Sequence, residues 1–225
     1  MRFAVLIALS VMLPVGATAQ EKSSSTQPTG YNWQGLYFGG HVGLGFGKAN
    51  AALSDTASTS TSNNFGGPIG GVQLGYNFLL PSHVLLGWEL DASFPNYIAS
   101  NSVVAALATA QNQVTEQFDY MATARGRFGY AFGPWLFYGT GGIGLAGRRF
   151  INDPTFGEEE KILRARFAGV AGAGVEYAFD PNWTMRLEYL HGRFAGANVG
   201  FPPNASYASN AYFNMVRLEI GRAHV

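Results

Sequence analysis

The sequence contains no cysteine, and this absence excludes several classes of protein. Disulfide scaffolds, zinc sites with cysteine ligands and thiol catalysis all depend on that residue. Charge is scarce too: 12% of the 225 residues are charged, against about 25% in soluble domains. The 14 Lys and Arg balance the 14 Asp and Glu, so the chain offers no net positive charge to nucleic acid, which is not an expected partner.

Long apolar runs are also missing beyond the N-terminus. No stretch after residue 20 approaches the ~18 consecutive apolar residues that a transmembrane helix needs. Hydrophobic residues nevertheless make up 47% of the chain, aromatic residues 14%, and glycine accounts for 30 residues. Disordered chains combine low hydrophobicity with high net charge, so this composition predicts a folded chain with little solubilising charge.

Residues 1–19 predict a secretory signal peptide. Arg2 supplies a positive start, residues 3–13 are apolar apart from Ser10, and Ala17-Thr18-Ala19 is a small-x-small cleavage site. The apolar core, at about 11 residues, is too short to span a bilayer. Residues 20–32 are rich in Ser, Thr and Pro and predict a flexible periplasmic leader.

From Trp33 onward apolar and polar residues alternate with a period of two, which predicts β-strands. Eight such segments are joined alternately by long polar connections and by short turns that contain Pro. The long connections span 48–66, 95–117, 148–161 and 192–210. Long loops at one rim and short turns at the other are typical of outer-membrane barrels. The pattern therefore predicts an all-β fold over 33–225, an eight-stranded antiparallel up-and-down transmembrane β-barrel.

A soluble β-sandwich is the alternative fold, but its polar faces would carry many Lys, Glu and Thr residues. Here the polar faces are rich in glycine with isolated Arg and Glu, which suits a small closed lumen. Aromatic residues also stand at the strand ends, as in the interfacial girdles of membrane barrels. They are Trp33, Phe78, Phe94, Trp135, Phe179 and Trp183.

Most charged residues of the strands share the parity that predicts the barrel interior. The acidic members are Glu89, Asp91, Asp119, Glu176, Glu188 and Glu219, and the basic members are Arg125, Arg127, Arg164, Arg166, Arg186 and Arg217. An Arg or Lys that faces lipid near the midplane costs ~2–4 kcal/mol, which explains this segregation. Because side chains fill the lumen of an eight-stranded barrel, we expect a buried hydrogen-bonded network that closes it; a gated ion path is the alternative.

Short motifs rich in Gly and Tyr recur along the strands. In chain order they are Trp33-x-Gly35-x-Tyr37-x-Gly39-Gly40, Gly71-Val72-Gln73-x-Gly75-Tyr76-Asn77, Gly87-x-Glu89-x-Asp91, Arg125-Gly126-Arg127-x-Gly129-Tyr130, Tyr138-x-Thr140-Gly141-Gly142, Gly172-x-Gly174-x-Glu176-Tyr177 and Arg186-x-Glu188-Tyr189. Over nearly the whole mature chain they resemble the small porin-like outer-membrane immunogenic and haemin-binding proteins, which are OmpA-like eight-stranded barrels.

The resemblance implies a place in the outer membrane of a Gram-negative bacterium, with outer-membrane lipid, lipopolysaccharide and the barrel-assembly machinery as partners. It implies a structural, surface-exposed role such as membrane integrity or surface antigenicity. A surface receptor for haemin or another ligand, and a narrow porin for small solutes, are the alternatives. Members of that family end with an aromatic residue that the assembly machinery recognises, whereas the last residue of this sequence is Val225.

No catalytic residue, metal site or cofactor is predicted, and the chain is not expected to be an enzyme. Of the four histidines only His191 lies where some barrel enzymes place a Ser-His-acid site, and Ser206 and Ser209 in the same predicted loop have no spacing that requires a triad. The string Gly142-x-Gly144-x-x-Gly147 matches a nucleotide-binding pattern, but it lacks the helix and the acidic residue that should follow.

The predicted loops are where a surface function would lie. Residues 102–110 are apolar and rich in alanine, which predicts a short helix or a segment over the barrel mouth. The third loop concentrates charge, most simply as a solvated hairpin tip. Arg148 and Arg149 at its start are candidates for contact with lipopolysaccharide phosphates.

Overall fold

The structure is a computed structural model that describes residues 31–54, 58–94, 102–106, 112–154, 160–201 and 205–224. The predicted signal peptide and the leader up to residue 30 lie outside the described residues. Ten β-strands are present in these ranges: β1 Gly35–Ser54, β2 Ser58–Leu79, β3 Val84–Ser93, β4 Ser102–Ala106, β5 Asn112–Phe132, β6 Trp135–Pro154, β7 Glu160–Asp180, β8 Trp183–Phe194, β9 Ala197–Phe201 and β10 Ala205–His224. Across the same ranges no helix has the length and apolar character of a membrane span.

Eight of these strands close into a ring. The order β1-β2-β3-β5-β6-β7-β8-β10 is joined by antiparallel pairing throughout. β10 then pairs with β1, for example at Val42 opposite Leu218, and completes the barrel. The two remaining strands are short: β4 pairs with β5, and β9 pairs with β10. The predicted eight-stranded antiparallel up-and-down barrel is therefore confirmed.

The outer wall is apolar. Every second side chain of a strand points away from the lumen, and in this barrel those side chains are mostly large and hydrophobic. Val42 and Phe128 are each 63% exposed, although contact of such apolar side chains with water is unfavourable. Leu218 on β10 and Phe137 on β6 continue this band on the neighbouring strands, and about half of each side chain is exposed. Such a surface is stable only against hydrocarbon, as on the lipid-facing side of a membrane barrel.

The three short turns lie where the sequence predicts them. Between β2 and β3 the amide of His83 donates to the carbonyl of Leu80 at 3.0 Å, and His83 adopts a positive φ of 64°. Between β5 and β6 Gly133 takes the left-handed conformation that glycine adopts at no steric cost. Between β7 and β8 the amide of Asn182 donates to Oδ1 of Asp180.

The four long loops predicted at the other rim are wrong where the structure describes them, because nearly all of their described residues lie in strands. β1 runs on to Ser54 and β2 starts at Ser58, so a hairpin replaces the loop predicted over 48–66. Ala49 and Leu53 are fully buried inside this extension while Asn50 faces outward. The alternation of inward and outward side chains therefore continues through this extension of β1. Most of its inward side chains are small alanines, so its sequence looks like that of a polar loop.

The strands consequently extend well beyond the bilayer. At about 3.4 Å per residue the 20 residues of β1 reach roughly 68 Å, while a transmembrane strand needs about 9–11 residues. Residues 102–106 form strand β4 and not a short helix, which was one of the two alternatives for 102–110, and residues 107–111 lie outside the described part. The predicted third and fourth loops are likewise mostly strand, within β6, β7, β9 and β10.

A β-bulge in β5 reverses the inside–outside parity. The register with β6 shifts between Phe118 and Tyr120, so Asp119 is the extra residue. Below the bulge Thr123 faces the lumen, as its odd number predicts. Above it the even-numbered Glu116 is fully buried. A parity count carried across the bulge misassigns every residue on its far side.

Candidate functional site in the barrel lumen

Glu89 on β3 lies at the centre of a buried charged network. Its Oε1 accepts a hydrogen bond of 2.5 Å from Nη2 of Arg125, which faces it across the β3–β5 ladder. Its Oε2 accepts from Nη1 of Arg186 at 2.6 Å and from the Tyr37 hydroxyl at 2.5 Å. The side chain is fully buried, so these charge-assisted bonds replace all of its hydration.

Two identical tripeptides face each other on β8 and β10. Arg186-Leu187-Glu188 and Arg217-Leu218-Glu219 run antiparallel, which sets Arg186 opposite Glu219 and Glu188 opposite Arg217. Nη2 of Arg217 donates to Glu188 at 2.5 Å, and Nη1 of Arg186 lies 2.8 Å from Glu219. Cross-strand pairs of opposite charge stabilise a sheet, so the register itself brings these ions together.

Asp91 joins this pair of strands to β5. Oδ1 of Asp91 accepts from Nη1 of Arg217 at 2.9 Å, and Oδ2 accepts from Nη2 of Arg125 at 3.0 Å and from the Thr123 hydroxyl. Arg125 also donates to Glu188 at 3.0 Å. Each guanidinium therefore links carboxylates from different strands across the lumen.

The part of the network nearest the short turns includes aromatic rings. Arg127 donates to Glu176 at 2.9 Å and to the Tyr37 hydroxyl at 2.7 Å. Its guanidinium carbon lies 4.1 Å from the centre of the Tyr138 ring, a cation–π contact. The Tyr138 hydroxyl in turn donates to Glu188 at 2.8 Å. Both tyrosines belong to the recurring Gly- and Tyr-rich motifs of the sequence, but no local pattern predicts that they bind the lumen charges.

A neutral branch extends from Glu219 to His41. Nε2 of Gln73 donates to Glu219 at 3.0 Å, and Oε1 of Gln73 lies 2.9 Å from Nδ1 of His41. Because the amide oxygen can only accept, Nδ1 of His41 carries the proton. Nε2 of His41 lies 2.9 Å from the Ser93 hydroxyl, so both ring nitrogens are engaged. His41 therefore acts as a buried hydrogen-bonding side chain inside the wall.

Nine of the twelve charged residues predicted for the lumen meet in this one network. They are Glu89, Asp91, Glu176, Glu188 and Glu219 with Arg125, Arg127, Arg186 and Arg217. Arg166 is not among them, since its Nη1 donates to the carbonyl of Gly196 at 2.7 Å nearer the outer rim. The side chains of Asp119 and Arg164 lie outside the described residues. Five carboxylates thus face four guanidinium groups, where the sequence predicts equal numbers.

Buried apolar layers lie on both sides of the network. Toward the short turns Trp33 packs with Leu85 and Leu136, and its indole N–H donates to the carbonyl of Gly133 at 3.2 Å. Tyr31, the penultimate residue of the predicted leader, packs edge-on against Trp33 with ring centres 4.6 Å apart. Burial, with smaller contributions from nearby carboxylates, raises the pKa of Tyr31 to about 12. Toward the outer rim the second layer contains Ile69, Met121, Leu190, Phe194 and Phe213.

Residues 4–214 match the family described as outer membrane protein beta-barrel domain. This chain belongs to the outer-membrane β-barrel family. It therefore lies in the outer membrane of a Gram-negative bacterium, where lipid surrounds its apolar wall.

Relatives of this outer-membrane barrel carry similar descriptions. The 31 kDa outer-membrane immunogenic protein of Brucella melitensis is 29% identical over 238 residues, which cover 97% of this chain and 98% of that protein. The 22 kDa outer membrane protein of Rhizobium leguminosarum bv. viciae is 29% identical over 203 residues, 90% of this chain and 82% of that protein. The solved structure of OprG from Pseudomonas aeruginosa covers 88% of this chain and 100% of its own, with 12% identity and a TM-score of 0.48.

The histidine and serines considered for catalysis lie apart in this outer-membrane barrel. His191 is exposed on the outer wall, with Nδ1 2.9 Å from Oδ1 of Asn214. Ser209 is buried inside the barrel and donates to Glu116 at 3.0 Å. Ser206 stands eight positions from Asn214 along β10, roughly 27 Å away. Neither serine can reach His191, so no nucleophile–base pair forms among these residues.

The remaining predicted site residues fall on strand β6. Arg148 and Arg149 lie within β6, opposite Phe118 and Gln117 of β5, instead of in a loop. Their side chains lie outside the described residues. Gly142, Gly144 and Gly147 also belong to this strand. Among the described residues no three His, Asp or Glu side chains are grouped to hold a metal ion.

Proposed function

We propose that this protein is a structural, surface-exposed component of the outer membrane, without enzymatic activity, whose lumen is closed to solutes. The observation that carries the proposal is the pairing of the lumen charges. Each of the four network arginines contacts at least two carboxylates at 4.0 Å or less, and their side chains are 0–3% exposed. An ion that crossed the lumen would have to separate these pairs in a dry interior, where an unpaired charge is strongly unfavourable.

Conductance of pure protein in planar bilayers tests the closed lumen. We expect no steady current, because two apolar layers enclose the charged network. Gel mobility of the same preparation with and without boiling verifies that the barrel is folded, since a folded barrel migrates differently until it is heated. Large, stable openings in the nanosiemens range from the folded protein would instead support the narrow porin.

Equilibrium titration with haemin separates the structural role from a receptor. We expect no saturable binding to the folded barrel. His41, the inward histidine among those whose side chains the structure describes, already uses both ring nitrogens in hydrogen bonds to Gln73 and Ser93. A saturable absorbance change at a fixed stoichiometry would overturn the structural role in favour of the receptor.

Cysteine labelling on intact cells tests the surface exposure of the outer half of the barrel. Because the chain has no cysteine, each introduced thiol is unique. We expect a membrane-impermeant maleimide to label Ser62→Cys, which is exposed on the extended part of β2. Ser82→Cys in the short turn between β2 and β3 is the matched control and should be labelled only after lysis. The reverse pattern would contradict the proposed orientation.

A further inference from the structure

We propose that the outer wall formed by β8, β10, β1 and β2 carries a binding site for a phosphorylated glycolipid of the outer leaflet. The site consists of three levels stacked along these strands: an apolar level, a cationic level and a level of uncharged amides and hydroxyls.

The apolar level ends at aromatic residues on neighbouring strands. Phe46 on β1 is 49% exposed and Tyr189 on β8 is 46% exposed, while Tyr212 on β10, which is 41% exposed, stands in the row of the cations. Oδ1 of Asn214 accepts from the Tyr189 hydroxyl at 2.7 Å and from Nδ1 of His191 at 2.9 Å. Aromatic residues with polar ends are typical of the membrane–water interface, so this level marks the upper edge of the hydrocarbon.

The cationic level lies directly beyond this edge. Lys48 on β1 and Arg193 on β8 both stand opposite Tyr212 on the strand between them. Strands lie about 4.8 Å apart, so the two Cα atoms are roughly 10 Å apart, and the long side chains can converge on one phosphate. Both side chains are exposed, and within the described part of the chain neither has an ion-pair partner.

The network arginines in the lumen are paired with carboxylates of the same chain, whereas Lys48 and Arg193 remain available to an anionic ligand. Every network arginine inside the barrel contacts two or three carboxylates. On the outer wall, Lys48 and Arg193 are the exposed Lys and Arg side chains that the structure describes. No Asp or Glu occupies the described outward positions around them on β1, β2, β8 and β10. Two uncompensated cations at a membrane surface attract anionic headgroups.

Above the cations the wall forms a polar groove of about 720 Å³ without charged side chains. Asn50 on β1 lies opposite Asn210 on β10 and Ser62 on β2, and Asn198 on β9, opposite Ala208, also lines the groove. Small alanines leave the groove open between these amides and hydroxyls. Neutral donors and acceptors around an open groove suit the hydroxyl groups of a sugar.

The order of the three levels fixes the class of ligand. Acyl chains would lie against Phe46, phosphate would meet Lys48 and Arg193, and sugar would occupy the groove beside Asn50 and Asn210. An anionic phospholipid can use the first two levels, but it has no sugar for the third. A phosphorylated glycolipid uses all three, so we expect the wall to prefer it.

Binding of lipid A to the folded protein in detergent, measured by native mass spectrometry and equilibrium titration, tests the site. We expect Lys48→Gln plus Arg193→Gln to weaken binding by about 10-fold to 30-fold, because each cation near an anionic lipid surface changes affinity by about fivefold. Lys48→Arg plus Arg193→Lys keeps both charges at the same positions and is the matched control, with binding close to that of the native protein. Both positions of the test variant are exposed, and unboiled gel mobility verifies folding.

Two further ligands distinguish the levels. Dephosphorylated lipid A should bind the native protein and the charge variant equally weakly. Asn50→Leu plus Asn210→Leu should weaken lipid A but leave phosphatidylglycerol unchanged. Native affinity of the Lys48/Arg193 variant for lipid A would overturn the proposal. Equal affinity of the native protein for lipid A and phosphatidylglycerol would reduce the site to charge attraction alone and would also overturn it.

Discussion

Replacing Glu89 by Gln removes one charge from the centre of the lumen network while it keeps the size of the side chain. Glu89 accepts three hydrogen bonds at 2.5–2.6 Å, from Arg125, Arg186 and Tyr37. An amide offers one oxygen, and its NH₂ group must then face a donor. Breaking a buried ion pair by removing one partner costs about 3–5 kcal/mol. Because Arg125 and Arg186 each keep two other carboxylates, we expect the lower end, about 3 kcal/mol.

Glu219→Gln is the matched control, since it removes the same charge from the same network. Oε1 of Glu219 lies 3.1 Å from Arg217 but accepts no hydrogen bond, so its contacts are less well formed than those of Glu89. The substitution also leaves four carboxylates for four guanidinium groups. We therefore expect a loss of less than about 1 kcal/mol, the contribution of an ordinary hydrogen bond.

Urea unfolding of the protein in phospholipid vesicles, followed by tryptophan fluorescence and by unboiled gel mobility, measures both losses. With a slope of about 2 kcal/mol per molar urea, the Glu89 variant should unfold roughly 1.5 M earlier than the native protein. The Glu219 variant should shift by less than about 0.5 M. Equal shifts for the two variants would refute the view that Glu89 is the centre of the network.

Four further substitutions, one of them a control, test packing around the network by the same unfolding assay. A Cβ at Gly174 would overlap the Tyr138 ring, so Gly174→Ala should lose about 1–3 kcal/mol. Gly169→Ala on the same strand meets no atom within 4 Å and should be neutral; a loss there would contradict this account. Trp33→Ala should lose about 3–5 kcal/mol, because it empties the apolar layer near the short turns. The raised pKa of Tyr31 means that its contribution is present below pH 10 and is lost as the pH rises toward about 12. Tyr31→Phe should abolish that alkaline loss, and an unchanged pH profile would show that Tyr31 does not titrate in the fold.

Much of the barrel wall is predictable from the chain because the signal is local. In a strand, side chains alternate between two faces, so Val42 and Leu44 face lipid whenever His41 and Gly43 face inward. The positions of the three short turns follow from Pro, Gly and Asn, whose backbone preferences act over a few residues. Charges on the lipid face are unfavourable, so the inward parity of Glu89 and Arg125 was also predictable.

The extended outer half of the barrel was not predictable from composition. Ser, Thr, Asn and Ala over 48–66 read as a loop, but Ala49 and Leu53 are buried against an apolar layer formed by distant strands. The strand pairing that continues from the membrane region also satisfies their backbone hydrogen bonds. The extended strands are stabilised by contacts between residues that are far apart in the chain, and a local sequence pattern cannot predict such contacts.

Specific partners in the network depend equally on tertiary structure. Parity predicts that Asp119 faces inward, whereas the bulge makes it the extra residue of β5 and turns Glu116 into the barrel. Which carboxylate meets which guanidinium follows from the registers between strands, as where Arg186 faces Glu219. That register joins two residues 33 positions apart in the chain.

The sequence by itself determined that this protein is an exported barrel with charges inside and apolar side chains outside, because alternation and the cost of a charge in lipid are properties of each short segment. Only the tertiary structure decided that five carboxylates share four arginines between two apolar layers. It also placed Lys48 and Arg193 on either side of Tyr212. Closing the sheet brings strands from opposite ends of the chain side by side, and their register sets those distances.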